Sequence, residues 1–182
     1  RYDVSDEMLL DGSIKLLTVG RFSYQKKMEE IPEICRRIRE SGLNVKWYLI
    51  GFGKEEQLIR QKIREENMEK YVVILGKKEN PYPYIKACDI YLQPSRYEGK
   101  AVTVREAQIL NKPVIITNYA TSNSQLQDGI DGVIVPKDIA GCSKGIIQVV
   151  NDKRLQQRLI ENTKIVDYTN SLEVEKIYCL MR

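Results

Sequence analysis

Residues 14–51 read IKLLTVGRFSYQKKMEEIPEICRRIRESGLNVKWYLIG, and their pattern decides the fold. Ile14-Lys15-Leu16-Leu17-Thr18-Val19 is a β-rich run that ends at Gly20. Over residues 26–40 the apolar positions Met28, Ile31, Ile34, Cys35 and Ile38 recur at helical spacing, and Gly42 stops the helix. Val45-Lys46-Trp47-Tyr48-Leu49-Ile50 then forms a second strand, ending at Gly51. Strand, helix and strand at this spacing predict a parallel βαβ unit with a right-handed crossover. Both strands are nearly continuous apolar runs, as required where helices cover both faces of a sheet.

The unit repeats along the chain. A helix with Leu58, Ile59, Lys62 and Ile63 on one stripe leads to the strand Val72-Val73-Ile74-Leu75, ending at Gly76. The turn Asn80-Pro81-Tyr82-Pro83 opens a short helix up to Cys88, before the strand Asp89-Ile90-Tyr91-Leu92 and its closing Pro94-Ser95. A helix over residues 100–110 precedes the strand Pro113-Val114-Ile115-Ile116-Thr117. A short helix near residues 124–127 precedes a sixth strand, Val133-Ile134-Val135, and the pattern is helical from Asp138 onward. The expected fold is α/β: a doubly wound, mostly parallel Rossmann-like sheet of about six strands with helices on both faces. One domain is expected over residues 1–182, with a core at 13–165 and trailing helices at 166–182.

Composition narrows the chemistry. Hydrophobic residues are 42% and charged residues 30%, as in an ordinary soluble globular protein. No apolar run approaches the roughly 20 residues of a membrane span. The chain opens Arg1-Tyr2-Asp3 without Met, so a fragment whose natural start lies elsewhere is expected. The net charge is +4, with bases interleaved with acids. That pattern predicts solvated helix faces with pairs such as Glu33–Arg37 and Arg36–Glu40, and no nucleic-acid partner. Cys35, Cys88, Cys142 and Cys179 lie far apart, which disfavours a zinc site and predicts reduced, partly buried thiols in a cytosolic chain. There is no histidine. Histidine triads, most zinc hydrolases and the usual neutral-pH general base are thereby removed.

In doubly wound sheets ligands bind beyond the carboxyl ends of the strands, so the loops after Val19, Ile50, Leu75, Leu92 and Thr117 are the candidates. The first, Gly20-Arg21-Phe22-Ser23-Tyr24-Gln25-Lys26, carries two cations that can converge on one anion. The loop Ser95-Arg96-Tyr97-Glu98-Gly99-Lys100-Ala101-Val102 opens a helix whose free N–H groups and dipole suit a phosphate. Glu98 there also fits a plain cap of that helix. Glu106 follows eight positions later. If both acids ride one helix they stand about 12 Å apart along its axis. That exceeds the roughly 5–9.5 Å of a glycosidase acid pair but suits two ends of one extended ligand. Gly51-Phe52-Gly53 alone reads as a turn.

Taken together, Pro94-Ser95-Arg96-Tyr97-Glu98-Gly99, Glu106-Ala107 and Lys112-Pro113-Val114-Ile115 resemble the donor-site signature of family 4 glycosyltransferases. These are retaining GT-B enzymes, also called group 1. Val19-Gly20-Arg21 with Lys26 resembles the family's G-R-x4-K segment, and Leu49-Ile50-Gly51-Phe52-Gly53 its I-G-x-G turn. Ala87-Cys88-Asp89-Ile90 and Asp131-Gly132-Val133-Ile134-Val135 match two further family segments, so the likeness covers residues 13–165.

The resemblance implies a carboxy-terminal donor-binding domain that takes a UDP- or GDP-sugar with no cofactor and no metal. Arg21 and Lys26 would hold the diphosphate and stabilise charge on the leaving group. Glu98 would hold the donor sugar beside Gly99. The N–H groups of Lys100, Ala101 and Val102 would meet sugar or phosphate, Glu106 the ribose, and Gly76-Lys77 the base. An acceptor, carbohydrate or lipid-linked, would bind an amino-terminal domain absent from this chain, leaving the isolated domain a poor transferase. The whole protein would work in bacterial surface polysaccharide synthesis, in the cytoplasm or peripherally at the inner membrane face. Two departures stand out. Lys100-Ala101 replaces the Phe-Gly of many members, adding a cation beside the sugar. The stretch Thr121-Ser122-Asn123-Ser124-Gln125 lacks their acid. A nucleotide-sugar epimerase on the same scaffold and a non-catalytic nucleotide-sugar-binding domain are the alternatives.

Overall fold

The computed structural model describes residues 4, 7, 8 and 11–166, so the trailing helices expected at 166–182 lie, from residue 167 on, outside the described residues. Strands β1 (Ile14–Val19), β2 (Val45–Ile50), β3 (Val72–Gly76), β4 (Ile90–Gln93), β5 (Val114–Thr117) and β6 (Val133–Val135) form one sheet in the order β3-β2-β1-β4-β5-β6. Every pairing is parallel, where the sequence had suggested a mostly parallel sheet. Helices α1 (Ile31–Glu40), α2 (Glu56–Glu65), α3 (Tyr82–Ala87), α4 (Val102–Ile109), α5 (Ser122–Gln125), α6 (Ile139–Asn151) and α7 (Lys153–Ile165) make the crossovers and the close of the domain. No helix among the described residues is long and apolar enough to cross a membrane.

Successive strand residues point to opposite faces, so a continuous apolar run feeds two cores at once. Leu16, Trp47, Leu49, Ile90 and Leu92 pack with Ile34 and Ile38 of α1, Ile59 of α2 and Ile146 of α6. Their neighbours Leu17, Tyr48, Ile50 and Tyr91 pack on the other face with Ile85 of α3 and with Val104 and Ala107 of α4. The buried polar side chain of β1, Thr18, is satisfied within the sheet. Thr18 Oγ1 donates to Leu92 O at 2.8 Å and accepts from Trp47 Nε1 at 2.9 Å.

The helix expected over residues 26–40 is broken. Two 3₁₀ turns, Tyr24–Lys26 and Met28–Glu30, flank Lys27 at φ 57°, and α1 begins only at Ile31. Pro32 accounts for the start: a proline in the first turn loses no needed N–H, whereas deeper in a helix its ring would clash with the carbonyl four residues back. The expected pairs on α1 form, Arg37–Glu33 at 2.8 Å and Arg36–Glu40 at 2.6 Å. Arg36 also reaches Glu66 at 2.6 Å, just past the end of α2. Cys35, Cys88 and Cys142 are free and buried, and burial pushes each thiol up to about 12.

Gly51 and Gly53 let the β1 and β2 loops touch. A Cβ on Gly51 would stand 1.9 Å from Gly20 O, and one on Gly53 2.2 Å from Phe22 O, both backbone atoms. Phe22 N in turn donates to Phe52 O at 2.9 Å, locking the two loops in register. Gly53→Ala should therefore destabilise the domain by about 3 kcal/mol, the upper range for overpacking. Thermal denaturation followed by circular dichroism should show a midpoint lower by roughly 6–12 °C. An unshifted midpoint would mean that the loops can part without cost.

Candidate active site

The strand order reverses between β1 and β4. Loops leaving two strands at such a point turn to opposite faces and open a crevice at the carboxyl edge. Here the β1 loop supplies Arg21, Gln25 and Lys26, and the β4 loop supplies Ser95, Arg96 and Glu98.

The two loops meet through an ion pair. Lys26 Nζ donates to Glu98 Oε1 at 2.6 Å, with side chains 15% and 4% exposed. Ser95 Oγ donates to the same oxygen at 2.6 Å, and Gln25 Nε2 donates to Oε2 at 3.0 Å. A carboxylate so deeply buried needs partners on both oxygens, and it has them. Beneath it lies the buried Gln93, whose Nε2 donates to Ser95 Oγ at 3.0 Å. Gln93 Oε1 accepts from the buried Tyr91 hydroxyl at 3.0 Å, and that hydroxyl sits 3.3 Å from Val19 O at the end of β1. Arg96 makes a second bridge: its guanidinium lies 4.0 Å from the Tyr24 ring centroid and donates to Tyr24 O and Glu29 Oε1. Arg21 is exposed, with no partner for its guanidinium among the described residues.

The β4 loop is held from behind by the segment after β5. Thr117 Oγ1 donates to Ser95 O at 2.6 Å and Thr121 Oγ1 donates to Glu98 O at 2.6 Å. Gln125 Oε1 accepts from Ala101 N at 2.9 Å, while its Nε2 lies 3.4 Å from Ala101 O. Ala101 is the N-cap of α4, with no side-chain cap bond. Two expectations change as a result. Glu98 lies in the loop ahead of α4, neither capping the helix nor riding it, so the 12 Å helical spacing to Glu106 does not apply. Ala101 is buried and its N–H is committed to Gln125, which removes it from the N–H groups facing a ligand. The N–H groups of Lys100, Val102 and Thr103 have no partner among the described residues and carry the positive end of α4.

Glu106 lies in the second turn of α4, where Tyr82 donates its hydroxyl to Oε1 at 3.0 Å. Burial first, with the charge of Glu106 among the lesser causes, pushes the Tyr91 phenol above its ordinary range. The Tyr119 phenol is raised likewise, by burial and then by the charge of Glu98, and its hydroxyl has no partner among the described residues. Gly76 closes β3 at φ 72° and its carbonyl accepts from Gly51 N at 2.9 Å. Lys77 stands exposed beside it, 5.4 Å above the half-exposed Phe52 ring. The acid of the Ala87-Cys88-Asp89 segment serves the fold, accepting from Lys15 N at 2.7 Å at the amino edge of the sheet. A cleft of about 460 Å³ opens at that edge, between Lys15, Asn111, Lys112 and Lys153. It lies at the opposite edge from the β1 and β4 loops, and its Lys112 already donates to Cys88 O at 2.8 Å.

Sequence reading passed over Gln25, Gln93, Tyr82 and Gln125. Gln93 was visible in principle, as a polar residue closing an apolar strand before Pro94-Ser95. The others act through contacts with residues 24–73 positions away, which spacing does not reveal.

The family described as glycosyl transferases group 1 matches residues 5–166. An uncharacterized glycosyltransferase of Methanocaldococcus jannaschii is 29% identical over 118 residues, 65% of this chain and 29% of that protein. An Escherichia coli UDP-Gal:alpha-D-GlcNAc-diphosphoundecaprenol alpha-1,3-galactosyltransferase is 26% identical over 148 residues, 79% of this chain and 38% of that one. The chain spans less than half the length of these curated relatives. Among solved structures, S. aureus TarM in complex with fondaparinux, alpha-GlcNAc-glycerol and UDP superposes with a TM-score of 0.83 at 21% identity, over 92% of this chain and 35% of that one, a likeness of fold.

Removing Lys26 strands a buried carboxylate without its counter-charge. Lys26→Ala should cost about 2–3 kcal/mol, below the full range because the ammonium keeps some water. Adding Glu98→Gln to it should recover more than half of the loss in a denaturant titration. A double variant no more stable than the single one would show that the carboxylate does not depend on that charge.

Proposed function

The chain belongs to the group 1 glycosyl transferases, and we propose that it is the nucleotide-sugar-binding half of a retaining, metal-independent enzyme. That enzyme moves a hexose from a UDP- or GDP-sugar to a polysaccharide or lipid-linked acceptor. The observation that carries this reading is the junction of the β1 and β4 loops at the switch point. There the Lys26–Glu98 pair, the exposed Arg21 and the N–H groups ahead of α4 that lack partners among the described residues border one edge. The galactosyltransferase relative is named for a UDP-linked donor and a diphosphoundecaprenol-linked acceptor, and the present proposal takes the same classes.

In this mechanism the diphosphate lies between Arg21, Lys26 and the N–H groups of Lys100 and Val102. As the bond from the sugar's anomeric carbon to the phosphate oxygen breaks, negative charge grows on that oxygen. Fixed cations and helix N–H groups stabilise it without reorganising. The acceptor hydroxyl enters on the face the leaving group departs from, its oxygen bonding to the anomeric carbon and its proton passing to the departing phosphate oxygen, so the anomeric configuration is kept. Glu98 holds Lys26 in place and borders the sugar beside Gly99, Lys100 adds a cation there, Glu106 takes the ribose, and Gly76-Lys77 flank the base. Synthesis of a bacterial surface polysaccharide at the cytoplasmic membrane face fits such an acceptor.

Calorimetric titration of UDP and GDP tests the assignment. Arg21→Ala, an exposed change, should weaken the preferred nucleoside diphosphate at least about tenfold, the worth of a charge-assisted contact. Gly99 offers a separate check, because a Cβ there meets nothing within 4 Å and its φ is not positive, so the fold makes no demand for glycine. Gly99→Val should leave the melting temperature in place while weakening the sugar nucleotide more than the bare diphosphate. Equal affinities for parent, Arg21→Ala and Gly99→Val would overturn the reading.

A further inference from the structure

We propose that Tyr82 is a positioning residue that presets Glu106 for the ribose diol, and so makes the site prefer ribonucleotides over 2′-deoxyribonucleotides. The proposal rests on the reading of Glu106 as the ribose acceptor.

The contact is built rather than incidental. Tyr82 stands between Pro81 and Pro83, whose rings fix φ on either side, and Asn80 Oδ1 accepts from Tyr82 N at 3.1 Å. This short turn opens α3, which buries Tyr84 and Ile85 and packs against α4. Glu106 is carried by α4, whose inner face is anchored by the fully buried Val104 and Ala107. Both partners are thus delivered by rigid elements. The hydrogen bond between them, 3.0 Å from Tyr82 Oη to Glu106 Oε1, costs little further order.

Its stoichiometry leaves room for a ligand. An ionised carboxylate accepts about four hydrogen bonds, two at each oxygen. Tyr82 occupies one site on Oε1, and Oε2 has no partner among the described residues. A vicinal diol can then donate one hydroxyl to each oxygen, a bidentate grip that a sugar lacking its 2′-hydroxyl cannot complete. The hydrogen bond to Glu106, and then its charge, raise the Tyr82 phenol above its ordinary range, so it stays a donor at neutral pH. Tyr82 is 48% exposed, close enough to solvent for a ligand to reach the pair. Without the hydroxyl, Glu106 would sample its rotamers freely and binding would have to order it.

The test uses the 182-residue chain with UDP and 2′-deoxy-UDP, or GDP and 2′-deoxy-GDP should the guanine nucleotide bind better. Tyr82→Phe keeps the ring and, at a half-exposed site, the fold. It should weaken the ribonucleotide about three- to tenfold while changing the deoxynucleotide less than about twofold. In a Glu106→Ala background the same substitution should have no effect on either nucleotide. If Glu106→Ala narrows the ribo-to-deoxy gap but Tyr82→Phe leaves it untouched, the role given to Tyr82 is overturned and the ribose assignment stands. If Glu106→Ala leaves the gap as it was, the assignment of Glu106 fails and the proposal with it. Loss of both nucleotides to the same degree in Tyr82→Phe would make Tyr82 a structural residue and overturn the proposal as well.

Discussion

A carboxylate that is nearly sealed from water must find its charge and hydrogen-bond partners within the protein, and in this domain that requirement fastens the working edge together. Glu98 draws Lys26 and Gln25 from the loop after β1 and Ser95 from its own loop. Desolvating the acid alone would be costly, and the cation beside it offsets much of that cost. The same bond holds Lys26 between the β1 and β4 loops, while Arg21 on the same loop has no partner for its guanidinium among the described residues. The edge therefore carries a compensated cation, Lys26, beside an exposed one, Arg21, and an anion bound there as proposed would meet positive charge already in place.

Backbone clamps complete what the ion pair begins. Thr117, Thr121 and Gln125 follow one another at four-residue intervals and reach Ser95 O, Glu98 O and both polar backbone atoms of Ala101. The amide of Gln125 presents an oxygen to the Ala101 N–H and a nitrogen towards its carbonyl. A carboxylate in the same place offers only acceptors and would face that carbonyl with like partial charge. The absence of an acid in residues 121–125, a departure from the wider family pattern, thus has a local rationale in how the loop before α4 is held.

How much of this was legible in the chain depended on the range of the forces involved. The strands were plain because covered parallel strands must be apolar on both faces, and Leu16 and Leu17, adjacent in sequence, do fill opposite cores. Residues 26–30 were misread because Met28 keeps helical spacing with Ile31. Lys27 in the left-handed region nonetheless interrupts the backbone, held by an ion pair with Glu30 at 2.8 Å and a hydrogen bond to Lys137 O. Arg21, Lys26, Glu98 and Glu106 could be picked out by residue type and loop position, but not the 2.6 Å contact between two of them across 72 residues. Tyr82 read only as part of a proline-marked turn, since nothing local signals that its hydroxyl meets a carboxylate on another helix.

The three interior thiols have a practical corollary. The thiolate is the reactive form of cysteine, and a group titrating near 12 is ionised in only about one molecule in a hundred thousand at neutral pH. Cys35, Cys88 and Cys142 are also walled in by side chains, so maleimides and peroxides find neither the anion nor an approach to it. A cysteine introduced on the open rim of the crevice would outcompete all three for a fluorescent or spin label. With Cys179, which lies outside the described residues, replaced by serine, a single reporter would watch the edge at which the donor is proposed to bind.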